Sequence, residues 1–223
     1  MADLKEKLKE SLYFPTAVYF SLFAKILIIL NHKKVVVVTG SSGKTGAITL
    51  MNNVLHEATI PYRFHDHINS AHGIPMSILG IDTKDTVKID QNRYLIWLKR
   101  IGFTPYFVTK SLFHKDSQAK YYVFEEDSDR PGEIKLSSWL LEPSVVIWLN
   151  VGLTHAYFHE KKVTKNPNLT MLESIADDYA YSIKNMAKNG IAIINIDDQM
   201  IYTLRKQAKG HTLEIGKRVN IFN

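Results

Sequence analysis

The chain has 223 residues, 45% hydrophobic and 11% aromatic, so it can bury the core of one large domain, and a disordered chain is excluded. It contains no cysteine, which excludes disulfides, thiolate metal sites and cysteine nucleophiles and suits a reducing cytoplasm. The net charge of +6 favours anionic ligands such as nucleotides, whereas no basic and aromatic stacking motif points to nucleic acid.

The chain begins with an apolar segment. Residues 12–30 are nearly all apolar and follow the charged stretch MADLKEKLKE. Pro15 and Lys25 interrupt the segment, and it has no small-residue cleavage site. These features favour a helix that packs on the domain or lies at a membrane surface over a membrane-spanning helix or a signal peptide. We therefore divide the chain into a hydrophobic helical segment, 1–33, and a domain, 34–223.

Apolar runs along the domain predict buried strands, and amphipathic runs between them predict helices. The predicted strands are 35–38, 121–126, 144–152 and 191–196, with a further candidate at 211–216. The predicted helices are 45–58, 170–188 and 201–209, together with a short helix that ends at residue 141. Residues 82–100 are predicted to be an excursion from this alternation, and they contain an amphipathic run. This alternation predicts an α/β fold, a doubly wound and mostly parallel sheet with helices on both faces.

The first strand leads into a glycine-flanked loop. A strand, a Gly-rich turn and a helix bring backbone N–H groups and the positive end of the helix to one point, as a polyphosphate requires. Val38 stands where the common pattern G-x-x-x-x-G-K-[ST] has its first glycine, so the loop has the shorter form T-G-x-x-G-K-T. The predicted nucleotide-binding residues here are Thr39, Gly40, Ser41, Ser42, Gly43, Lys44 and Thr45.

This loop and four later motifs, in the same order, resemble those of the Mur ligase family. Residues 69–75 (NSAHGIP) resemble N-N-x-x-G-V-P, and residues 123–134 (VFEEDSDRPGEI) are similar to V-x-E-M-G-A-D-R-P-G-E-I of the D-alanyl-D-alanine-adding branch. Residues 150–155 (NVGLTH) resemble N-V-G-x-x-H, and residues 189–198 (NGIAIINIDD) resemble N-G-x-x-x-x-N-x-D-D. The resemblance covers about residues 34–216. It implies that these residues form the family's central ATPase domain, which is similar to P-loop NTPases.

The resemblance implies roles for several residues. In the family, the γ-phosphate of ATP passes to a substrate carboxylate, and an amine attacks the acyl phosphate. Lys44 would hold the phosphates, Thr45 and Glu125 would bind one Mg²⁺, and His155 would bind a second. Lys44, Glu125 and His155 are therefore the implied catalytic residues.

Two asparagines complete the implied nucleotide site. Asn195 resembles the residue that contacts adenine, and Asn69 belongs to a motif of the nucleotide site. The implied cofactors are ATP and Mg²⁺. The implied substrate is a UDP-linked muramyl peptide of peptidoglycan synthesis, and the implied location is the cytoplasm, with the first helix at the inner membrane face as a further expectation.

Several of these residues have a plainer interpretation. Glu125 is one of several acids in EEDSD, and His155 is able to cap a loop. Asp197 and Asp198 follow a strand and are typical of turns. Three histidines lie in or just before the motif at residues 69–75, namely His65, His67 and His72. Their number makes a zinc site a weak alternative, although Mg²⁺ prefers oxygen ligands.

The chain departs from the family at three points. Tyr179 stands where the family has a lysine, carbamoylated in most branches, whose carboxylate helps bind the second Mg²⁺; Asp177 or Asp178 is a candidate replacement. Asp127 stands where the branch has glycine, and the loop after His155 is longer than usual.

The third departure concerns whole domains, because the family's N-terminal and C-terminal domains have no counterpart in this sequence. Three alternatives follow: a partner chain supplies these domains, the sequence is part of a longer protein that contains them, or the chain is a non-catalytic or ATP-hydrolysing nucleotide-binding module.

Overall fold

The computed structural model describes residues 2–65, 69–81, 93–112, 119–128, 130–154 and 156–217, with side chains from residue 11 in the first helix and from residue 99 in the fourth. The helices are α1 (Ala2–Leu30), α2 (Lys44–Glu57), α3 (Gly73–Ile78), α4 (Arg93–Leu112), α5 (Glu133–Leu141), α6 (Glu160–Lys165), α7 (Met171–Lys184) and α8 (Gln199–Leu204). The strands are β1 (Lys34–Thr39), β2 (Tyr62–His65), β3 (Tyr121–Glu126), β4 (Val145–Trp148), β5 (Ile191–Asn195) and β6 (His211–Ile215). Short 3-10 helices cover Ala156–His159 and Arg205–Gln207.

The strands form one six-stranded sheet in the order β2-β3-β1-β4-β5-β6, and every pairing is parallel. From β1 the chain moves to one side of the sheet, and from β3 it crosses β1 to the other side. This reversal beside β1 creates the crevice in which open parallel sheets bind ligands. The predicted doubly wound α/β fold is confirmed.

The core lies mainly on one face of the sheet. Alternate residues of β1 and β3 pack there against α1, α3, α4 and α5, and β4 and β5 pack against α7. The β1 run is buried on both faces because α2 packs against β1 and β3 from the other side. This explains why β1 is a continuous row of valines rather than an alternating pattern.

Helix α1 belongs to this core. Its inner face is fully buried at Ala17, Phe20 and Ala24, and it packs against α3, α4 and α5. Ser11–Leu30 is long and apolar enough to cross a membrane by length and composition, with a mean hydropathy of 1.8, and 33% of it is buried inside the protein. The division of the chain at residue 33 stays a prediction.

A hydrogen bond joins α1 to α4 at a proline. Pro105 lies inside α4 and has no N–H, so it cannot bond the carbonyl of Ile101 four residues earlier. The hydroxyl of Tyr19 donates to that carbonyl at 3.0 Å. The contact therefore replaces the helix bond that the proline removes.

The structure adds elements that the sequence patterns did not predict. β2 has only four residues and includes Arg63 and His65, so it lacks an apolar run. Helix α3 occupies the GIPMSI stretch. The amphipathic run of the predicted excursion, residues 93–100, lies in the 20-residue helix α4. Residues 82–92 are outside the described residues.

Candidate functional site

The glycine-flanked loop of residues 39–45 lies at the carboxyl end of β1, between β3 and β4. Thr39, the last residue of β1, is paired with Glu126 of β3 and Trp148 of β4. The segments that follow all three strands therefore meet at one edge of the sheet. That edge is the expected ligand site of a parallel α/β sheet.

Asn150 holds the loop in shape. Its side-chain oxygen accepts from the backbone N–H of Ser42 at 2.9 Å, its amide donates to the Ser42 carbonyl at 3.0 Å, and its own carbonyl accepts from Ser41 N–H at 3.1 Å. The Ser41 hydroxyl also accepts from Gly152 N–H at 2.7 Å. The NVG motif after β4 thus fixes the conformation of the loop of residues 39–45, a role that sequence reasoning missed.

The two loop glycines are required by geometry. Gly40 has φ +132°, and a Cβ there would lie 2.9 Å from the Asn150 carbonyl oxygen. Gly43 has φ +82° immediately before α2. Both backbones are in the region that side chains disfavour.

Helix α2 presents its amino end to the loop. It begins at Lys44 with no side-chain cap and no acidic residue in its first turn. The first N–H groups of a helix have no intrahelical partner, and the helix dipole adds positive potential there. This end of α2 suits an anion, although the Ser41 and Ser42 amides are bonded to Asn150.

The side chain of Lys44 lies back over the loop and is 7% exposed. Its ammonium donates to the Gly40 carbonyl at 2.7 Å and forms an ion pair with Asp127 at 2.9 Å. Glu125 Oε1 lies 3.9 Å from the same nitrogen. Asp127, noted in the sequence only as a departure, is therefore the nearest acidic partner of the loop lysine.

Asp127 is in turn held by Tyr179. The Tyr179 hydroxyl donates to Asp127 Oδ1 at 2.9 Å, and Ser128 N–H donates to the same oxygen at 3.0 Å. Burial raises the pKa of Tyr179 above its ordinary value, and the Asp127 charge raises it further, so the phenol stays protonated and donates. The two sequence departures at 127 and 179 are thus in direct contact.

Residues of suitable chemistry for Mg²⁺ lie beside the loop. Glu125 offers a partly exposed carboxylate, and Thr45 is an exposed hydroxyl residue in the first turn of α2. Carboxylate and hydroxyl oxygens are the ligand types that Mg²⁺ prefers, usually with several waters. His155, the other predicted metal ligand, lies outside the described residues.

Glu126 points away from Glu125 and Asp127, as alternation along a strand requires. It is 1% exposed and accepts from the hydroxyls of Ser137 at 2.5 Å and Ser182 at 2.6 Å. Burial raises its pKa to about 7, against the opposing effect of these two hydrogen bonds.

A second buried polar network lies behind the site. Ser128 donates to Asp178 at 2.7 Å and contacts His159 Nε2 at 3.0 Å, while His159 Nδ1 contacts the Ser174 hydroxyl at 3.0 Å. Burial raises the pKa of Asp178 and lowers that of His159. Asp178 also accepts a hydrogen bond from Gly132 N–H at 3.0 Å, so its carboxylate stabilises the turn at residues 130–132.

The remaining predicted residues lie at the end of β5, before α8, and in the loop after β2. Asn195 donates to the Leu149 carbonyl at 2.9 Å and accepts from Asp197 N–H, and Asp198 caps α8. Asn69 is half-buried in the loop between β2 and α3. The roles predicted for Asn195 and Asn69 toward a nucleotide stay predictions.

The histidines predicted as a weak zinc alternative have separate partners. His65 Nδ1 lies 2.5 Å from the Ser77 hydroxyl, and His72 Nε2 lies 2.8 Å from the Thr16 hydroxyl. Burial lowers their pKa values to about 3 and about 4, so both are neutral at pH 7. His67 is outside the described residues.

Comparisons with known proteins agree with this geometry. The sequence profile of the Mur ligase middle domain matches residues 38–220. The UDP-N-acetylmuramoyl-tripeptide–D-alanyl-D-alanine ligase of Borreliella burgdorferi is 23% identical over 189 residues, which are 80% of this chain and 32% of the relative. The enzyme of that name from Rickettsia prowazekii is 29% identical over 53% of this chain and 25% of its own length.

Solved structures show the same fold. MurF from Acinetobacter baumannii has a TM-score of 0.64 at 19% identity, covering 89% of this chain and 35% of that one. The MurF ligase of Thermotoga maritima in complex with ADP has a TM-score of 0.62 at 24% identity, covering 89% and 36%. The chain therefore spans between a quarter and about a third of the length of these relatives and structures.

Proposed function

Because this chain belongs to the Mur ligase family, of which it matches the middle domain, we propose that it binds Mg²⁺ and ATP at the loop of residues 39–45. The observation on which the proposal rests is the placement of Lys44 and the uncapped amino end of α2 at the carboxyl edge of the sheet, beside Glu125. These groups supply a cation and backbone donors to a nucleotide phosphate, and an oxygen ligand to the Mg²⁺ that accompanies it.

In this proposal the loop performs positioning and charge neutralisation. Lys44 contacts the β- and γ-phosphates, Asn150 keeps the loop in its binding conformation, and Thr45 and Glu125 hold the metal. The bound Mg²⁺ would offset phosphate charge. His155 as a ligand of a second Mg²⁺, Asn195 beside the adenine and Asn69 in the same site remain proposals that rest on the family resemblance.

The reaction we propose is formation of an amide bond during synthesis of a peptidoglycan precursor in the cytoplasm. The γ-phosphate passes to a carboxylate of a UDP-linked muramyl peptide, releasing ADP, and an amine then displaces phosphate to form the amide. Since the chain spans about a third of its relatives, we propose that further ligase domains complete the site, on this polypeptide or on a partner chain.

An open apolar face supports such a partner. Ile191, Leu213 and Ile215 lie on the sheet face opposite α7, by the strand register and the alternation along β5 and β6, and each is about half-exposed. An apolar patch of this kind is typical of a protein contact. The outer side of α1 is also apolar, and we propose that it contacts the inner membrane surface.

The nucleotide site is tested by calorimetric titration with Mg²⁺-ATP. Lys44→Ala is expected to weaken binding at least about tenfold, since a charge-assisted contact to phosphate is worth about 1.5–3 kcal/mol. Lys188→Ala, at an exposed lysine before β5, serves as the matched control and is expected to bind like the wild type. Failure of the wild-type chain to bind nucleotide would overturn the assignment.

An ATP-hydrolysing or non-catalytic nucleotide-binding module is the second candidate. The ion pair of Lys44 with Asp127, which Tyr179 holds by a hydrogen bond, favours it. Two assays of ATP turnover separate this module from the ligase. The first uses the chain alone, and the second adds muramyl peptide, dipeptide and the remaining ligase domains. Amide product formed only in the second assay supports the ligase.

A further inference from the structure

The buried ion pair between Lys44 and Asp127 alters the charge that a nucleotide meets. Their side chains are 7% and 9% exposed, and their charged atoms are 2.9 Å apart. Glu125 lies 3.9 Å from the same ammonium. One ammonium thus faces two carboxylates at the place where the phosphates are expected.

The Asp127 carboxylate is fixed by contacts to both of its oxygens. Oδ1 accepts from the Tyr179 hydroxyl at 2.9 Å and from Ser128 N–H at 3.0 Å, and Oδ2 contacts Lys44. Tyr179 is fully buried in α7 and cannot leave without disturbing the core. The carboxylate is therefore unable to turn away from Lys44 without losing buried hydrogen bonds, which is costly.

The pairing also connects distant parts of the chain. Residues 127 and 179 are 52 positions apart, and both differ from the pattern of the family that the chain otherwise resembles. Their direct hydrogen bond shows that the two differences form one structural unit with the loop lysine. This unit is built from the loop after β3, helix α7 and the first residue of α2.

We propose that Asp127, positioned by Tyr179, makes nucleotide binding by this chain depend on a divalent cation. Free ATP has to displace Asp127 from Lys44 and is repelled by two nearby carboxylates. A cation bound to the phosphates offsets this repulsion and is attracted by the same carboxylates, so the metal–nucleotide complex is selected over the free nucleotide. This inference rests on the proposed nucleotide site.

The test compares ATP affinity in Mg²⁺ with ATP affinity in EDTA for wild type and variants, by calorimetry or by displacement of a fluorescent ATP analogue. Asp127→Asn keeps the size and removes the charge. We expect Asp127→Asn to reduce the ratio of the affinity in Mg²⁺ to the affinity in EDTA about tenfold, mainly because free ATP binds more tightly. One unit charge at this distance changes the binding free energy by an amount of that order.

Two further variants keep the test decisive if Asp127→Asn fails to fold. Tyr179→Phe removes one hydrogen bond from the carboxylate and is expected to reduce the ratio by a smaller factor. Asp127→Glu keeps the charge and is expected to retain the dependence. Glu57→Gln, at an exposed acid in the last turn of α2, is the control and is expected to leave the ratio unchanged.

An unchanged ratio in Asp127→Asn, or equal loss of affinity in Mg²⁺ and EDTA, would overturn the inference and leave Asp127 a structural residue. If the wild-type chain binds no nucleotide under either condition, the proposed nucleotide site itself fails. The two failures are therefore distinguishable.

Discussion

Glu126 is a carboxyl group buried between two serines, and its ionisation opposes folding. Burial raises its pKa from 4.5 to about 7 in the folded protein. Between these two values the folded state binds the proton more tightly than the unfolded state does. The free energy of unfolding therefore falls as the pH rises from about 4.5 to 7, and the loss stays constant above pH 7.

Glu126→Gln removes this titration while keeping the size of the side chain, and its amide can both accept from and donate to the serines. We expect the difference in free energy of unfolding, variant minus wild type, to rise by about 3 kcal/mol between pH 4.5 and 8. Urea unfolding across this pH range measures it. Glu173→Gln, at an exposed carboxylate on α7 whose pKa is lowered, should show no such rise; a flat difference for Glu126→Gln would contradict the prediction.

The acids of EEDSD illustrate what the sequence could predict at this scale. The family resemblance singled out Glu125, and the structure places it near Lys44. Alternation along β3 would also have placed 127 on that side and 126 on the other. The contact between Asp127 and Tyr179 could not be predicted, because it depends on the packing of α7 against the end of β3.

At the scale of elements, strands with apolar runs were located correctly, although β4 ends at Trp148 rather than at residue 152. Elements defined by tertiary contacts were not predicted. β1, β3 and β5 each contain a continuous run of apolar residues, as is typical of buried parallel strands. β2 has no apolar run of its own, and it forms an edge strand because its backbone pairs with β3. Likewise, Pro105 argues against a helix locally, yet α4 continues through it because α1 supplies the missing donor.

The bond from Tyr19 to the Ile101 carbonyl gives a prediction for the α1–α4 contact. Tyr19→Phe leaves that carbonyl without the donor that replaces Pro105, and we expect a loss of about 1–3 kcal/mol in the free energy of unfolding. Tyr157→Phe, at a tyrosine that is 74% exposed, is the control and should change little.

Pro105→Ala restores a backbone N–H four residues after Ile101. In that background the carbonyl regains a helix partner, so Tyr19→Phe is expected to cost clearly less than in the wild type. A double-mutant cycle measured by chemical unfolding gives the coupling. Equal costs in the two backgrounds would show that the hydroxyl does not compensate for the proline.

At the scale of the whole molecule, α1 is apolar on two sides. Its inner side is buried in the core, while an outer stripe, spaced mostly four residues apart, is 37–60% exposed; the stripe comprises Phe14, Val18, Leu22, Ile26, Ile29 and Leu30. Residues four apart lie on one face of a helix. The hydropathy of residues 12–30 was evident from the sequence, but the split between core and surface required the fold.

The outer stripe predicts that the chain binds a membrane surface through α1. We expect the chain to cosediment with vesicles of phosphatidylglycerol and phosphatidylcholine, since apolar side chains and a net charge of +6 both favour an anionic bilayer surface. Leu22→Glu with Ile26→Glu should weaken binding at least about tenfold, because each buried side chain contributes about 1.5–3 kcal/mol. The matched control is Leu50→Glu with Val54→Glu, an equally spaced pair on α2 that is 69% and 65% exposed. If the wild type stays in the supernatant, or if both pairs reduce sedimentation equally, α1 does not bind the membrane, and its outer stripe is left as a surface for a protein partner.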